Sequence, residues 1–266
     1  MKNLKGKTVF ITGATSGIGK SAAYNFAEHG ANLILAGRRA DRLEEISKDL
    51  INKYSVKVIT IVMDVQNYEE VKKNINELVN SDSNLNKGLQ TIDILVNNAG
   101  LARGFSQIQD GSVEDWNEMI DTNVKGLLYV SKCIIPFMVK NNSGHIINIG
   151  SVAGREVYPM GNVYCATKHA VDAITKSMRM ELLETNIKVT TIDPGLVETE
   201  FSLVRYRGDE EKAKTAYNNF KALSPDDIAE AIIFAATRND NFVVAEMVLL
   251  PQKQASTRDV LRANNN

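Results

Sequence analysis

The chain has 266 residues, with 31 basic and 32 acidic side chains and a net charge of −1, a balance that gives no electrostatic footing for nucleic acid or an anionic membrane surface. Its length suits one large α/β domain or two small ones and is enough to bury a sizeable core. Only two cysteines occur, Cys133 and Cys165, both in segments of helical pattern, so a reducing compartment is expected rather than a disulfide framework. His29, His145 and His169 lack the spacing of a metal site. The N-terminus runs almost directly into an apolar strand without a signal-peptide h-region, and no stretch approaches eighteen apolar residues. A soluble, cytoplasmic protein is the simplest expectation.

Short apolar runs alternate with longer amphipathic segments from the start, the pattern of a parallel sheet covered by helices on both faces. Strands are expected at TVFITG, ANLILAG, KVITIVMDV, DILVNNAG, HIINIGS, KVTTIDPG and VVAEMVLL, which makes a seven-stranded, doubly wound Rossmann fold. No linker divides the chain and no repeat appears, so a single domain over 1–266 is expected, with NSDSNLNKGLQT as a polar surface loop.

The first strand leads into TGATSGIGK, where Gly13, Gly17 and Gly19 open a helix, so that backbone amides face a bound pyrophosphate without side chains in the way. The spacing is G-x-x-x-G-x-G rather than G-x-G-x-x-G. The second strand ends in Gly37, Arg38 and Arg39 where an acid would select an unphosphorylated ribose. Two guanidiniums there favour a 2′-phosphate and hence NADP, and small Gly37 leaves room for it. Asp64, before Val65 at the end of the third strand, either accepts from an adenine amino group or caps the following helix. The fourth strand ends in NNAG, Asn97 to Gly100: amide side chains can tie strand ends together while Ala99 and Gly100 leave space for a flat cofactor. Ser112 is a plausible cap for a long helix that carries Asn123 among apolar residues and runs to Pro136. Further on, Ser224, Pro225 and Asp227 spell a helix start with a capping box.

Ser151 follows the fifth strand; Tyr164 lies thirteen residues later and Lys168 four beyond that, so Tyr164 and Lys168 share a helix face. An ammonium beside a phenol stabilises the phenolate, which reads as a tuned proton donor and acceptor. Ser151 could hold a substrate oxygen against it.

With TGATSGIG, NNAG, Asn123, Ser151, Tyr164 with Lys168, and Pro194-Gly195 in this order, residues 6 to 251 closely resemble the single-domain short-chain dehydrogenases/reductases. The resemblance implies that Tyr164 is the general acid/base, that Lys168 lowers its pKa and holds the nicotinamide ribose, and that Ser151 orients the substrate oxygen. It places Asn123 in a water-mediated proton relay. It also implies NADP contacts from Thr15, Ser16, Ile18, Asn98, Ala99, Gly100, Val197 and Thr199, in addition to Gly13, Gly17, Gly19, Arg38, Arg39, Asp64, Val65, Tyr164, Lys168, Pro194 and Gly195.

After the sixth strand, a segment at about 196–222 occupies the place of a substrate lid, and its Arg205 and Arg207 could clamp a carboxylate or pair with Asp209, Glu210 and Glu211. Arg103 is a third candidate. GLVETEFSLVRYRGDEEKA, YPMGNVYCATKHAV and QAS resemble the NADP-dependent 3-hydroxy acid dehydrogenases of fungi and bacteria, also described as serine or L-allo-threonine dehydrogenases. That likeness implies oxidation of the 3-hydroxyl of serine, allo-threonine and 3-hydroxyisobutyrate by a homotetramer. The last strand reads as a deeply buried or subunit-covered edge. The polar tail, about 252–266, could dock on a neighbouring subunit near the substrate site or fray, at least from Ala263 onward. A carbonyl or dicarbonyl reductase on the same site, and a non-catalytic NADP-sensing protein, are the alternatives.

Overall fold

The computed structural model describes residues 3–79 and 91–263; most of the polar loop expected before the fourth strand lies outside them. All seven strands form: β1 (Thr8–Thr12), β2 (Asn32–Gly37), β3 (Val58–Val62), β4 (Ile94–Asn97), β5 (Gly144–Ile149), β6 (Ile187–Pro194) and β7 (Glu246–Leu249). They build one parallel sheet in the order β3-β2-β1-β4-β5-β6-β7. The chain therefore winds outward from β1 through β3, returns past β1 to β4, and continues the other way. The crevice outside the carboxyl ends of β1 and β4, where the order reverses, is where such folds bind ligands.

Both sheet faces are buried, which is why the strands read as nearly continuous apolar runs. Along β1, Val9 and Ile11 enter one apolar layer while Phe10 enters the other, as the two-residue period of a strand dictates. The first layer is completed by α1 (Gly17–Glu28), α2 (Ala40–Tyr54) and a helix near the C-terminus, α9 (Pro225–Ala236), through residues such as Phe26, Leu43 and Ile232. Opposite lie α3 (Tyr68–Val79), α5 (Leu127–Lys140) and α6 (Asn162–Glu181), through Ile75, Ile134 and Val171. The start of α9 is as the sequence indicates: Ser224 and Asp227 form the reciprocal capping box and Pro225 opens the helix.

Several details add to or differ from expectation. The long helix beginning at Ser112 is α4 (Val113–Ile120) joined to α5 by a π-helical stretch over Asp121–Gly126, and α5 continues through Pro136 to Lys140. β7 is only four residues long, with Val248 47% exposed, so as an edge within this chain it is not deeply buried. The lid is ordered into α7 (Phe201–Arg205) and α8 (Glu210–Thr215). The tail does not fray at Ala263: its backbone amide donates to Asn219 O at 2.9 Å, and Arg262 donates to Asn218 O and Ala216 O at 2.7 and 3.0 Å. Further back, Gln254 is buried and accepts from Leu196 N at 2.9 Å. The tail thus straps the lid of its own chain.

Among the described residues no helix is long and apolar enough to cross a membrane, and no group of three His, Cys, Asp or Glu is placed to hold a metal ion.

Candidate active site

A cleft of about 680 Å³ opens at the carboxyl ends of the central strands. Its walls gather Gly13, Thr15, Ser16, Gly17 and Ile18 from the β1–α1 turn, and Arg38 and Arg39 from the end of β2. Asp64, Val65, Asn98, Ala99 and Gly100 come from the ends of β3 and β4, Ser151 from that of β5, Tyr164 and Lys168 from α6. Pro194, Gly195, Val197, Thr199 and Arg205 close the far side. Gly19, Asn123, Arg103 and Arg207 stand outside its lining.

The glycine-rich turn fits a pyrophosphate on its own geometry. Gly13 has φ +65° and Gly17 φ +51°, and a Cβ on Gly13 would lie 2.9 Å from Asn98 Nδ2. Ser16 sits at the N-cap of α1 without capping it, so the first-turn amides keep no side-chain acceptor from that residue and face the cleft. Asn98 holds the turn, donating to Thr12 O at 2.9 Å and Gly13 O at 3.2 Å, while Asn97 Nδ2 donates to Asn148 Oδ1 at 2.9 Å. The NNAG amides therefore tie β4 to both neighbours, as the sequence suggested.

The two arginines after β2 behave differently. Arg38 is exposed and lies 3.7 Å from Asp64 Oδ2. Arg39 reaches back over the glycine-rich turn, donating to Thr15 Oγ1 at 2.7 and 3.0 Å and to Ser16 Oγ at 2.8 Å. Gly37 lines the cleft, and its smallness also serves the packing of that turn, since a Cβ there would meet Thr15 Cγ2 at 2.9 Å. Asp64 is not the cap of α3, because its Oδ1 accepts from Gln66 N at 3.0 Å while Asn67 Oδ1 accepts from Glu70 N at 3.2 Å.

Tyr164 and Lys168 share a helix face, as their spacing requires. Ser151 Oγ accepts from Ala153 N at 3.1 Å, donates to Pro194 O at 3.4 Å, and lines the same cleft as Tyr164. Burial pushes that phenol well above its ordinary range, with Tyr158 acting in the same sense; Arg205 and the Ser151 contact pull it back. Arg205 is thus a cation acting on Tyr164 that the sequence did not assign to it. Lys168 is buried, donates to Ile149 O at 2.9 Å, and is brought down to about 8 by desolvation, against the upward pull of Asp193. Asn123 spends its side chain on structure, with Oδ1 accepting from Leu101 N at 2.8 Å and Nδ2 donating to Leu101 O and Thr167 Oγ1 at 2.8 and 3.0 Å. These three bonds fix the Asn123 side chain within the π-helical stretch.

The three candidate carboxylate clamps are separated by their partners. Arg103 forms two hydrogen bonds to Glu118, at 2.7 and 2.8 Å, and a third to Val204 O. Arg207 pairs with Asp115, while Asp209 and Glu211 pair with Lys212 and Lys214, so among the described residues the alternative pairing of the lid arginines with that acidic run is not seen. Arg205 alone faces the cleft. Its guanidinium carbon lies 5.2, 5.3 and 5.9 Å from the ring centres of Tyr164, Phe201 and Phe105, and Nη2 donates to Tyr158 Oη at 2.9 Å. Its Nε is sealed from solvent without an acceptor, and among the described residues no carboxylate pairs with it. Tyr158, Phe105, Glu200 and the tail residues Gln254 and Arg262 also line the cleft and were not singled out in the sequence. Only QAS and the position of the tail hinted at the last two.

A family model described as short chain dehydrogenase matches residues 7–209, and the chain belongs to that family. It is 44% identical over 263 residues to the NADP-dependent 3-hydroxy acid dehydrogenase of Schizosaccharomyces pombe, which covers 98% of this chain and 99% of that protein. It is 40% identical over 248 residues to sulfoacetaldehyde reductase 2 of Chromohalobacter salexigens, covering 93% of this chain and 95% of that one. Among solved structures, the closed form of serine dehydrogenase complexed with NADP+ matches with a TM-score of 0.86 and 39% identity, over 97% of this chain and 100% of that one.

Proposed function

We propose that this NADP-dependent short-chain dehydrogenase oxidises the 3-hydroxyl of 3-hydroxy acids and β-hydroxy amino acids, with Tyr164 exchanging the proton. The observation that carries the substrate class is Arg205, a cation held by aromatic rings beside Tyr164 with an unsatisfied Nε and no carboxylate of its own. A charge with a sealed, unpartnered N–H of this kind is costly until it is paired. A substrate carboxylate supplies the pair and places the hydroxyl two carbons away against the phenol. The relatives' names agree in chemistry, since a 3-hydroxy acid and sulfoacetaldehyde both carry an anionic head group.

NADP, when bound, supplies hydride acceptance or donation, held by the glycine-rich turn, by Arg38 and Arg39 at the 2′-phosphate, and by Lys168 at the nicotinamide ribose. For oxidation Tyr164 takes the hydroxyl proton as phenolate while Ser151 holds the same oxygen; for reduction the phenol returns it. A neutral carbonyl or dicarbonyl reductase would leave Arg205 unpaired. Ser151, Tyr164 and Lys168 lining one cleft argue for turnover over mere sensing of NADP. A cytoplasmic homotetramer belongs to the same reading: exposed Leu128 on α5, Leu183 beyond α6 and Val248 on β7 supply apolar surface for subunit contact.

Initial rates with NADP on L-serine, L-allo-threonine and 3-hydroxyisobutyrate, set against their methyl esters, test the proposal. The acids are expected to turn over and the esters to fail. Equal rates for acid and ester would reject the carboxylate clamp.

A further inference from the structure

We propose that Glu200, at the entry to the lid helix α7, is a cofactor-discriminating residue whose carboxylate competes with the 2′-phosphate of NADP for the guanidiniums of Arg39 and Arg42. The proposal rests on the NADP reading above and concerns a residue that the reading does not use. Glu200 Oε2 is 2.9 Å from Arg39 Nη1, and Oε1 is 2.7 Å from Arg42 Nη1. The two arginines come from the start of α2, whereas Glu200 is 158 residues or more further along the chain. Arg39 is at the same time hydrogen-bonded to Thr15 and Ser16 of the glycine-rich turn. The carboxylate thus bridges guanidiniums at the rim of the cleft on the side where a phosphorylated ribose lies beside the end of β2.

Two guanidiniums that converge on one carboxylate also suit a phosphate, which offers more acceptor oxygens and a larger charge. A phosphate and Glu200 cannot share them without like-charge repulsion at close range. NADP therefore has to displace Glu200, and NAD, which has a plain hydroxyl there, does not. Glu200 lowers the affinity for NADP and leaves that for NAD unchanged, so it narrows the preference that the arginines create.

The displaced residue is the N-cap of α7, a helix of five residues that carries Phe201 and Arg205 against Tyr164. Movement at Glu200 is passed directly to these side chains, so the cofactor's phosphate and the substrate clamp are mechanically linked. The single tryptophan, Trp116, packs on the small apolar cluster of Leu101, Ala102 and Met119 that also receives Phe201 and Val204. Its fluorescence therefore reports the position of α7.

The experiment measures dissociation constants for oxidised NADP and NAD by calorimetry, with Trp116 emission recorded in parallel, in wild-type protein, Glu200→Gln and Glu200→Asp. Glu200→Gln is expected to bind NADP roughly twofold to tenfold tighter, the range of two half-exposed ion pairs, with NAD affinity unchanged. Wild-type emission should respond to NADP and not to NAD, and Glu200→Asp should stay near wild type. Unchanged or weaker NADP binding by Glu200→Gln would overturn the proposal, the weaker case marking Glu200 as a support that orients the arginines for the phosphate. A wild type that binds NAD as tightly as NADP would instead reject the cofactor reading on which the proposal rests.

Discussion

Tyr164 and Arg205 touch, and yet they answer different questions about the reaction. The phenol moves a proton whatever the substrate, whereas the guanidinium acts on an anionic head group and, through its field, on the phenol itself. Tyr164→Phe is therefore expected to lower turnover of 3-hydroxy acids by at least ~10²-fold, the low end for general acid–base catalysis, and that of a neutral secondary alcohol in the same proportion. Arg205→Leu should lower kcat/KM for the acids by about 10- to 100-fold, the range of a charge-assisted hydrogen bond, and spare the neutral alcohol. It should also move the rising limb of the pH–rate profile for oxidation to higher pH. The sign follows from the active form: phenolate is the base, Arg205 stabilises it, and without that cation a higher pH is needed to form the same amount. Equal loss on both substrates with an unmoved profile would place Arg205 among structural residues. Tyr164 and Lys168 were legible because helical spacing alone puts them on one face. Arg205 could not be told from Arg207 or Arg103, since what separates the three are Asp115 and Glu118, partners on another helix that no local spacing reveals.

At the scale of elements, the legible features are those written in local sequence. The capping box of α9 is one, and it makes a measurable claim: Ser224 accepts from Asp227 N at 3.2 Å and Asp227 accepts in return from Ser224 N at 2.6 Å. Ser224→Ala should cost about 1 kcal/mol of stability, seen as a lower midpoint in urea with an unchanged slope. Because α9 packs on α1 through Ile228 and Ile232 in one apolar layer, the loss should appear in global unfolding; an unchanged midpoint would mean that packing alone holds this end. The strands were legible for the same local reason, as buried apolar runs between helical patterns. β7 was overread, since its apolar run continues beyond the four residues that pair with β6. The π-helical stretch around Asn123 has no periodicity of its own that distinguishes it from the helices on either side. The strap made by the tail relies on backbone carbonyls of the lid and on Gln254 Oε1, acceptors that composition does not disclose.

For the whole molecule, the sheet fixes how stability depends on acid. His145 is buried where β5 meets β6, with Nε2 2.8 Å from Thr190 Oγ1 and Nδ1 without a partner. Desolvation, helped by Lys188, brings its pKa down from 6.5 to about 3, so the native protein keeps it neutral. An unfolded chain takes up a proton on this residue as the pH falls through 6.5, and the native chain does not until near 3. The stabilising contribution is therefore full above 6.5 and is lost progressively as the pH drops toward 3. Lys168, lowered only to about 8, is protonated in both states over this range and adds no slope. Asp193, raised by burial, acts in the opposite sense, so its effect is greatest toward the acid end and the window is read downward from pH 6.5. His145→Gln, which keeps a hydrogen-bonding group beside Thr190, should flatten the fall of unfolding free energy with acid in that window by up to one proton's worth of slope. The measurement is urea unfolding at half-unit pH steps for both proteins. Parallel curves would mean that the acid sensitivity of the fold comes from elsewhere in the sheet.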